Sequence, residues 1–131
     1  MNTLRRARSD RGSSTTELVI AMPVLLMLIM LIVQFGLWHH AAHVAEAAAQ
    51  EGVRTARVET GSAPAGQARA QQFVANAAPT LLVDVAVNAT RTADTARVEV
   101  TGTVRSIVPG MSLPVRAAAE SPVEVFRADT P

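Results

Sequence analysis

A chain of 131 residues with net charge +1 and no cysteine has room for one small domain. It has no disulfide framework, no thiolate nucleophile and no cysteine zinc site. All twelve basic residues are arginine, and Arg5, Arg6, Arg8 and Arg11 crowd the N-terminus against Asp10 alone.

Residues 1–12 read as a short polar leader without regular structure. Their arginines stand directly before an apolar run, where they act as a topology signal. Nucleic acid is therefore set aside as a partner. From Leu18 to Trp38 there is no Asp, Glu, Lys, Arg or His over 21 residues. A hydrocarbon core about 30 Å thick needs ~20 helical residues, so this segment predicts a transmembrane span with membrane lipid around it. A buried helix of a globular core is the competing reading. It fails because the segment is apolar on every face and the rest of the chain is too small to wrap it. Leu18, Pro23, Gln34, Gly36 and Trp38 are the positions expected to shape packing in the span. Pro23 removes one backbone bond and bends the helix, which a membrane tolerates. The flanking charges place the N-terminus in the cytoplasm and residues 39–131 outside.

Helical character continues over residues 13–57. Past the span, Trp38, Ala41, Ala42, Ala45, Ala48, Ala49, Gly52, Val53 and Ala56 recur at three- and four-residue steps as a stripe of mostly small residues. His39, His43, Glu46, Gln50 and Arg54 share another face. His39 and His43, at i and i+4 with Glu46 beyond, resemble half of a zinc site. With Trp38 and His40 they also suit an interfacial belt at headgroup level, and that reading is preferred, with no cofactor. A secretory cleavage site at Ala45-Glu46-Ala47 is disfavoured, because it lies too far beyond a run longer than the usual ~7–15 residues.

Residues 58–131 are expected to form an extracytoplasmic α+β domain. Thr60–Gly66 reads as a turn-rich break. A short helix follows over Gln67–Ala77, with Ala70, Phe73, Val74 and Ala77 on one side, ended by Pro79. Val83, Val85, Val87 and Ala89 alternate with polar neighbours, as do Ala96, Val98, Val100, Gly102 and Val104. They predict a hairpin turning at Thr92–Thr95. LPVRAAAE and PVEVF supply a third strand, with Pro122 as the place where it would split and an edge as its position. The predicted fold is α+β: a long N-terminal transmembrane helix running into an amphipathic helix, a short second helix and a small three-stranded antiparallel sheet. The alanine stripe is the natural cover for the sheet. The sequence holds no Ser-His-Asp arrangement and no glycine-rich phosphate loop, so an enzyme is not expected.

One stretch remains: Arg11-Gly12-Ser13-Ser14-Thr15-Thr16-Glu17, immediately before the span. Ser14-Thr15-Thr16-Glu17 fits a capping box at a helix start. A glycine lets the backbone lie extended in a narrow cleft, and a carboxylate at a membrane edge is usually functional. The stretch also resembles the type III signal of prepilins. That resemblance implies cutting between Gly12 and Ser13 by a prepilin peptidase, with Glu17 as the fifth mature residue, pairing with the new amine of Ser13 on a docking neighbour. SSTTELVIAMPVLLMLIMLIVQFGLW, running into HHAAHVAEAAAQEGVRTAR, resembles the TadE-like family: pseudopilins, or minor pilins, of the tight-adherence Flp pilus. The resemblance is strongest over residues 11–57. It implies other pilins or pseudopilins, pilus platform proteins and a secretion ATPase as partners. The pseudopilin pattern has Tyr after the glutamate, whereas here Leu18 follows Glu17. The alternative is an uncleaved single-pass membrane protein whose outer domain binds a partner.

Overall fold

The structure, a computed structural model, describes residues 10–125, with side chains described from residue 15 onward. The expected leader lies mostly outside the described residues. The first helix, α1, runs over Asp10–Arg57, 48 residues long. At ~1.5 Å per residue it is about 72 Å from end to end. The second helix, α2, spans Ala63–Ala77. Strands β1 (Leu82–Arg91), β2 (Thr95–Val104) and β3 (Leu113–Pro122) form an antiparallel sheet in the order β1-β2-β3. The α+β architecture expected from the sequence is the one the chain adopts.

Both helices lie on one face of the sheet. Ala41, Val44, Ala45, Ala48, Ala49 and Val53 of α1 share a core with Ala70 and Val74 of α2 and Val87, Val98, Val100, Val104 and Val115 of the strands. The stripe works because it is small. An alanine face lets a valine-rich sheet approach the helix backbone, and each fully buried valine contributes roughly 1.5–3 kcal/mol. Helix meets helix where Gly52 faces Gly66. A Cβ on Gly66 would stand 2.6 Å from the Gly52 carbonyl oxygen, and one on Gly52 would stand 2.9 Å from that of Gly66. Neither position admits a side chain without moving backbone.

The outer face of the sheet is polar. Arg97 sits directly opposite Glu120, 3.3 Å away, while Glu99 takes Arg116 at 3.0 Å and Arg97 at 3.5 Å. These pairs, two of them across β2 and β3, keep an open face soluble. The Arg116 guanidinium, with Arg97 assisting, holds the Glu99 carboxyl below its ordinary value.

Five local features depart from the sequence expectation. Helix α1 begins at Asp10, three residues before position 13. Helix α2 begins at Ala63, inside the stretch read as a turn. Ser62 is its N-cap and its hydroxyl accepts from the Ala65 N–H at 3.2 Å, with Pro64 in the first turn. Serine before proline is a helix start as much as a turn signal. The buried side of α2 is Gly66, Ala70 and Val74, continued by Ala78 beyond its end; Ala77 is exposed.

Strand β1 does not alternate evenly. Val83 pairs with Thr103 and Ala86 with Thr101, so one extra residue is inserted between them. Asp84 takes the left-handed conformation there, at φ 53°. This bulge resets the phase ahead of it: Leu82, opposite Val104, is buried in place of Val83, which sits opposite Thr103, while Val85 remains on the side of Leu82, Val74 and Ala78 and Val87 stays buried. Strand β3 stops at Pro122, and the chain beyond it is tied down instead. Val123 N–H donates to Asp94 and Glu124 N–H to Arg57, each at 2.9 Å. The hairpin turns at Thr92–Asp94 as expected, with the Thr92 hydroxyl accepting from the Asp94 and Thr95 N–H groups.

Candidate functional site

The N-terminal half of α1 is bare. Every described side chain from Thr15 to Met30 is exposed, including Leu18, Ile20, Leu25 and Leu28. Only 6% of the most apolar 18-residue window is buried. In water this would be an untenable surface for a monomer; in a bilayer it is the ordinary one. Pro23 lies within the helix, where it leaves the Val19 carbonyl without its helical donor. Around it, Glu17, Ile20, Ala21, Val24, Leu25 and Leu28 line a shallow apolar groove. Gly12 and Ser13 fall in the first turn of α1. Glu17 follows Ser13 by one turn, and its carboxylate has no hydrogen-bond or ion-pair partner among the described residues. Of the expected processing and docking residues, the helix therefore brings Ser13 and Glu17 onto one face, i to i+4.

Contact with the rest of the chain begins at half-buried Leu31 and closes over Gln34, which is 1% exposed. Its Oε1 accepts from the Ile107 N–H at 2.8 Å and from the Ser106 hydroxyl at 3.3 Å. One turn on, the Trp38 indole N–H donates to the Pro114 carbonyl at 3.3 Å. Gln34 and Trp38 are thus engaged by the β2–β3 loop and β3 of their own chain. Gly36 differs: nothing comes within 4 Å of a Cβ built there.

His39 and His43 stand together, their Nε2 atoms 3.0 Å apart. One ring must donate and the other accept. The His43 Nδ1 lies 3.9 Å from Glu46, and both side chains are well exposed. Phe35 stacks on His39. Among the described residues no group of three His, Cys, Asp or Glu side chains is arranged to hold a metal.

Two arginines position the helix pair, and the sequence offered no signal for either. Arg91, at the end of β1, donates to the carbonyls of Ala56 (2.8 Å), Val58 (2.9 Å) and Gly61. These are carbonyls at and just beyond the C-terminus of α1, where no helical donor remains. Arg69 of α2 grips Glu51 of α1 through both its Nε and a terminal nitrogen, at 3.1 and 2.9 Å.

A long apolar helix of spanning length, bare over its first half and carrying a small α+β domain on its second, defines a single-pass membrane protein. Residues 12–54 match the family model described as TadE-like protein. The match begins at Gly12, covers the span and most of the domain-bearing half of α1, and bears out the family resemblance read from the sequence. No curated protein and no solved structure matches the chain.

Proposed function

We propose that the chain is a minor pilin or pseudopilin of a tight-adherence pilus or a related secretion apparatus. The observation that carries this is the order Gly12, Ser13, Glu17, bare span, read inside one continuous helix and inside the matched segment. The protein would rest in the cytoplasmic membrane with residues 1–12 inside and the α+β domain outside. A prepilin peptidase would cut after Gly12. The bond lies in the first helical turn, whose N–H groups have no helical partners, so the turn can open into an extended form at little cost. Cutting leaves an α-amine on Ser13.

Glu17, one turn away and without a partner within the described chain, then pairs with that amine on a docking neighbour. Its carboxylate would otherwise cost up to a few kcal/mol at the membrane edge. The bare face from Leu18 onward supplies the contact between subunits, with Gly36 open to close approach by another helix. Platform proteins and a secretion ATPase would extract the subunit from the lipid.

Intact-mass measurement of the protein from cells with and without the peptidase tests the processing step. The expected N-terminus is Ser13 with the peptidase and Met1 without it. Met1 in both would leave an uncleaved membrane protein with a partner-binding outer domain. Glu17→Ala is expected to insert in the membrane and yet be excluded from assemblies; normal incorporation would reduce Glu17 to a helix-start residue.

A further inference from the structure

The β2–β3 loop, residues 105–112, descends along α1 as far as Gln34. The position of Gln34 relative to the bilayer follows from the charges. Glu17 is the last charged residue before the span, so a hydrocarbon core that excludes it starts at Leu18. At ~1.5 Å per residue, a core about 30 Å thick then reaches residue 37 or 38. Gln34 lies about one turn inside that boundary, and the loop that packs on it lies at the same depth.

The loop is built for such a place. Residues 106–115 carry no charge, and Arg105 and Arg116 bound the stretch without entering it. Ile107 is 43% exposed, and Val108 and Met111 are part-exposed beside it. An irregular backbone survives in hydrocarbon only when its polar groups are satisfied by protein. Part of this requirement is met: the Ile107 N–H donates to Gln34 Oε1 at 2.8 Å, while the Gln34 Nε2 is buried without a partner among the described residues. The Val108 N–H donates to the Ser106 hydroxyl oxygen at 3.1 Å, and the Met111 N–H to the Val108 carbonyl at 3.3 Å. Pro109 has no N–H to satisfy. The Ser106 hydroxyl proton is shared between Gln34 Oε1 and the Val108 carbonyl. An apolar groove between Leu31, Phe35 and Trp38 of the helix and Met111 and Leu113 of the loop side joins this surface to the bare span.

We infer that the β2–β3 loop is a second membrane contact: a wedge seated in the leaflet on the domain's side, with Ile107 at its tip and lipid acyl chains as the occupant of the surface it forms with Leu31 and Phe35. The helix alone would leave the domain free to rotate about its axis. The wedge fixes which face of the domain meets the membrane. This inference rests on membrane insertion and is independent of the pilus reading.

The chain has no cysteine, so single-cysteine variants need no background removal. Ile107→Cys, Leu28→Cys and Ala93→Cys are made in the full chain, spin-labelled and reconstituted in phosphatidylcholine vesicles. Relaxation by oxygen, which partitions into lipid, is compared with relaxation by a water-soluble nickel chelate. The Ile107 label is expected to resemble Leu28 in the span, with chelate access several-fold below that of Ala93 at the far hairpin. A chelate access at Ile107 equal to that of Ala93 would overturn the wedge. So would dipolar broadening at Ile107 that grows with the protein-to-lipid ratio, since it would make a second copy of the chain the occupant. Chelate access at Leu28 would overturn the insertion on which the wedge depends.

Discussion

The two halves of α1 are one helix in two solvents, and they use residue size in opposite ways. Toward the N-terminus, large side chains such as Leu25, Leu28 and Ile29 stand exposed with nothing of their own chain against them. Toward the C-terminus, Ala41, Ala48, Ala49 and Ala56 are fully buried. Lipid conforms to any apolar outline, so the span needs bulk and no fit. A sheet is rigid, so the helix beneath it must be flat. Apolarity alone therefore does not say where a core is; the size of the apolar residues does.

The glycines sharpen the contrast most. Gly52→Ala would push a Cβ to 2.9 Å from the Gly66 carbonyl and 3.1 Å from Val98 Cγ1. It is expected to destabilise the domain by about 2–3 kcal/mol through overpacking. Gly36→Ala, with open space around it, should cost the isolated protein nothing. Denaturant unfolding of the domain in micelles, followed by hydrogen exchange at β2, checks both. Equal losses at the two positions would break the comparison.

A smaller effect is expected at the top of the domain half. Arg91→Ala removes the guanidinium from the carbonyls of Ala56, Val58 and Gly61 and should cost about 1–2 kcal/mol. Protection of amides near Ala56 should fall while the span is untouched. Arg91→Lys, with a single ammonium, should recover only part of the loss.

The smallest effect is on the exposed sheet face. The Glu99 carboxyl is held below its ordinary value of 4.5, chiefly by hydrogen bonding from Arg116. A carboxylate with a depressed folded pKa contributes stability above its unfolded value and loses it as pH falls through the folded one. Stability should therefore decline slightly below pH 4.5, and Glu99→Gln should flatten that decline. An NMR titration in which Glu99 protonates at or above 4.5 would remove the effect.

Much of this was legible in residue order. The span shows as an uninterrupted charge-free run, and the alanine stripe and the β2 alternation follow from helical and strand periods. The Gly12–Glu17 signal is local and needs no fold to be noticed. Three things were not legible, each for a physical reason. The bulge at Asp84 puts Leu82 rather than Val83 against the core, and no periodicity reports an inserted residue. Ser62-Ala63-Pro64 satisfies the rules for a turn and for a helix start equally. The roles of Gln34 and Arg91 depend on partners 73 and 35 positions away, the Ile107 amide and the Ala56 carbonyl. Within the span, Gln34 reads as a packing position; it takes the folded domain to supply the Ile107 amide it accepts from.

The exit of the chain from the sheet has a practical bearing. The Glu124 amide is clamped to the carbonyl of Arg57, and the two side chains pair at 3.2 Å. Arg57 stands twenty residues beyond Leu37, about 30 Å along the helix above the membrane boundary. A module fused after Glu124 would therefore start beside the C-terminal end of α1, at the end of the helix opposite the span. A fluorescent or affinity module there would sit about 30 Å along the helix from Leu37.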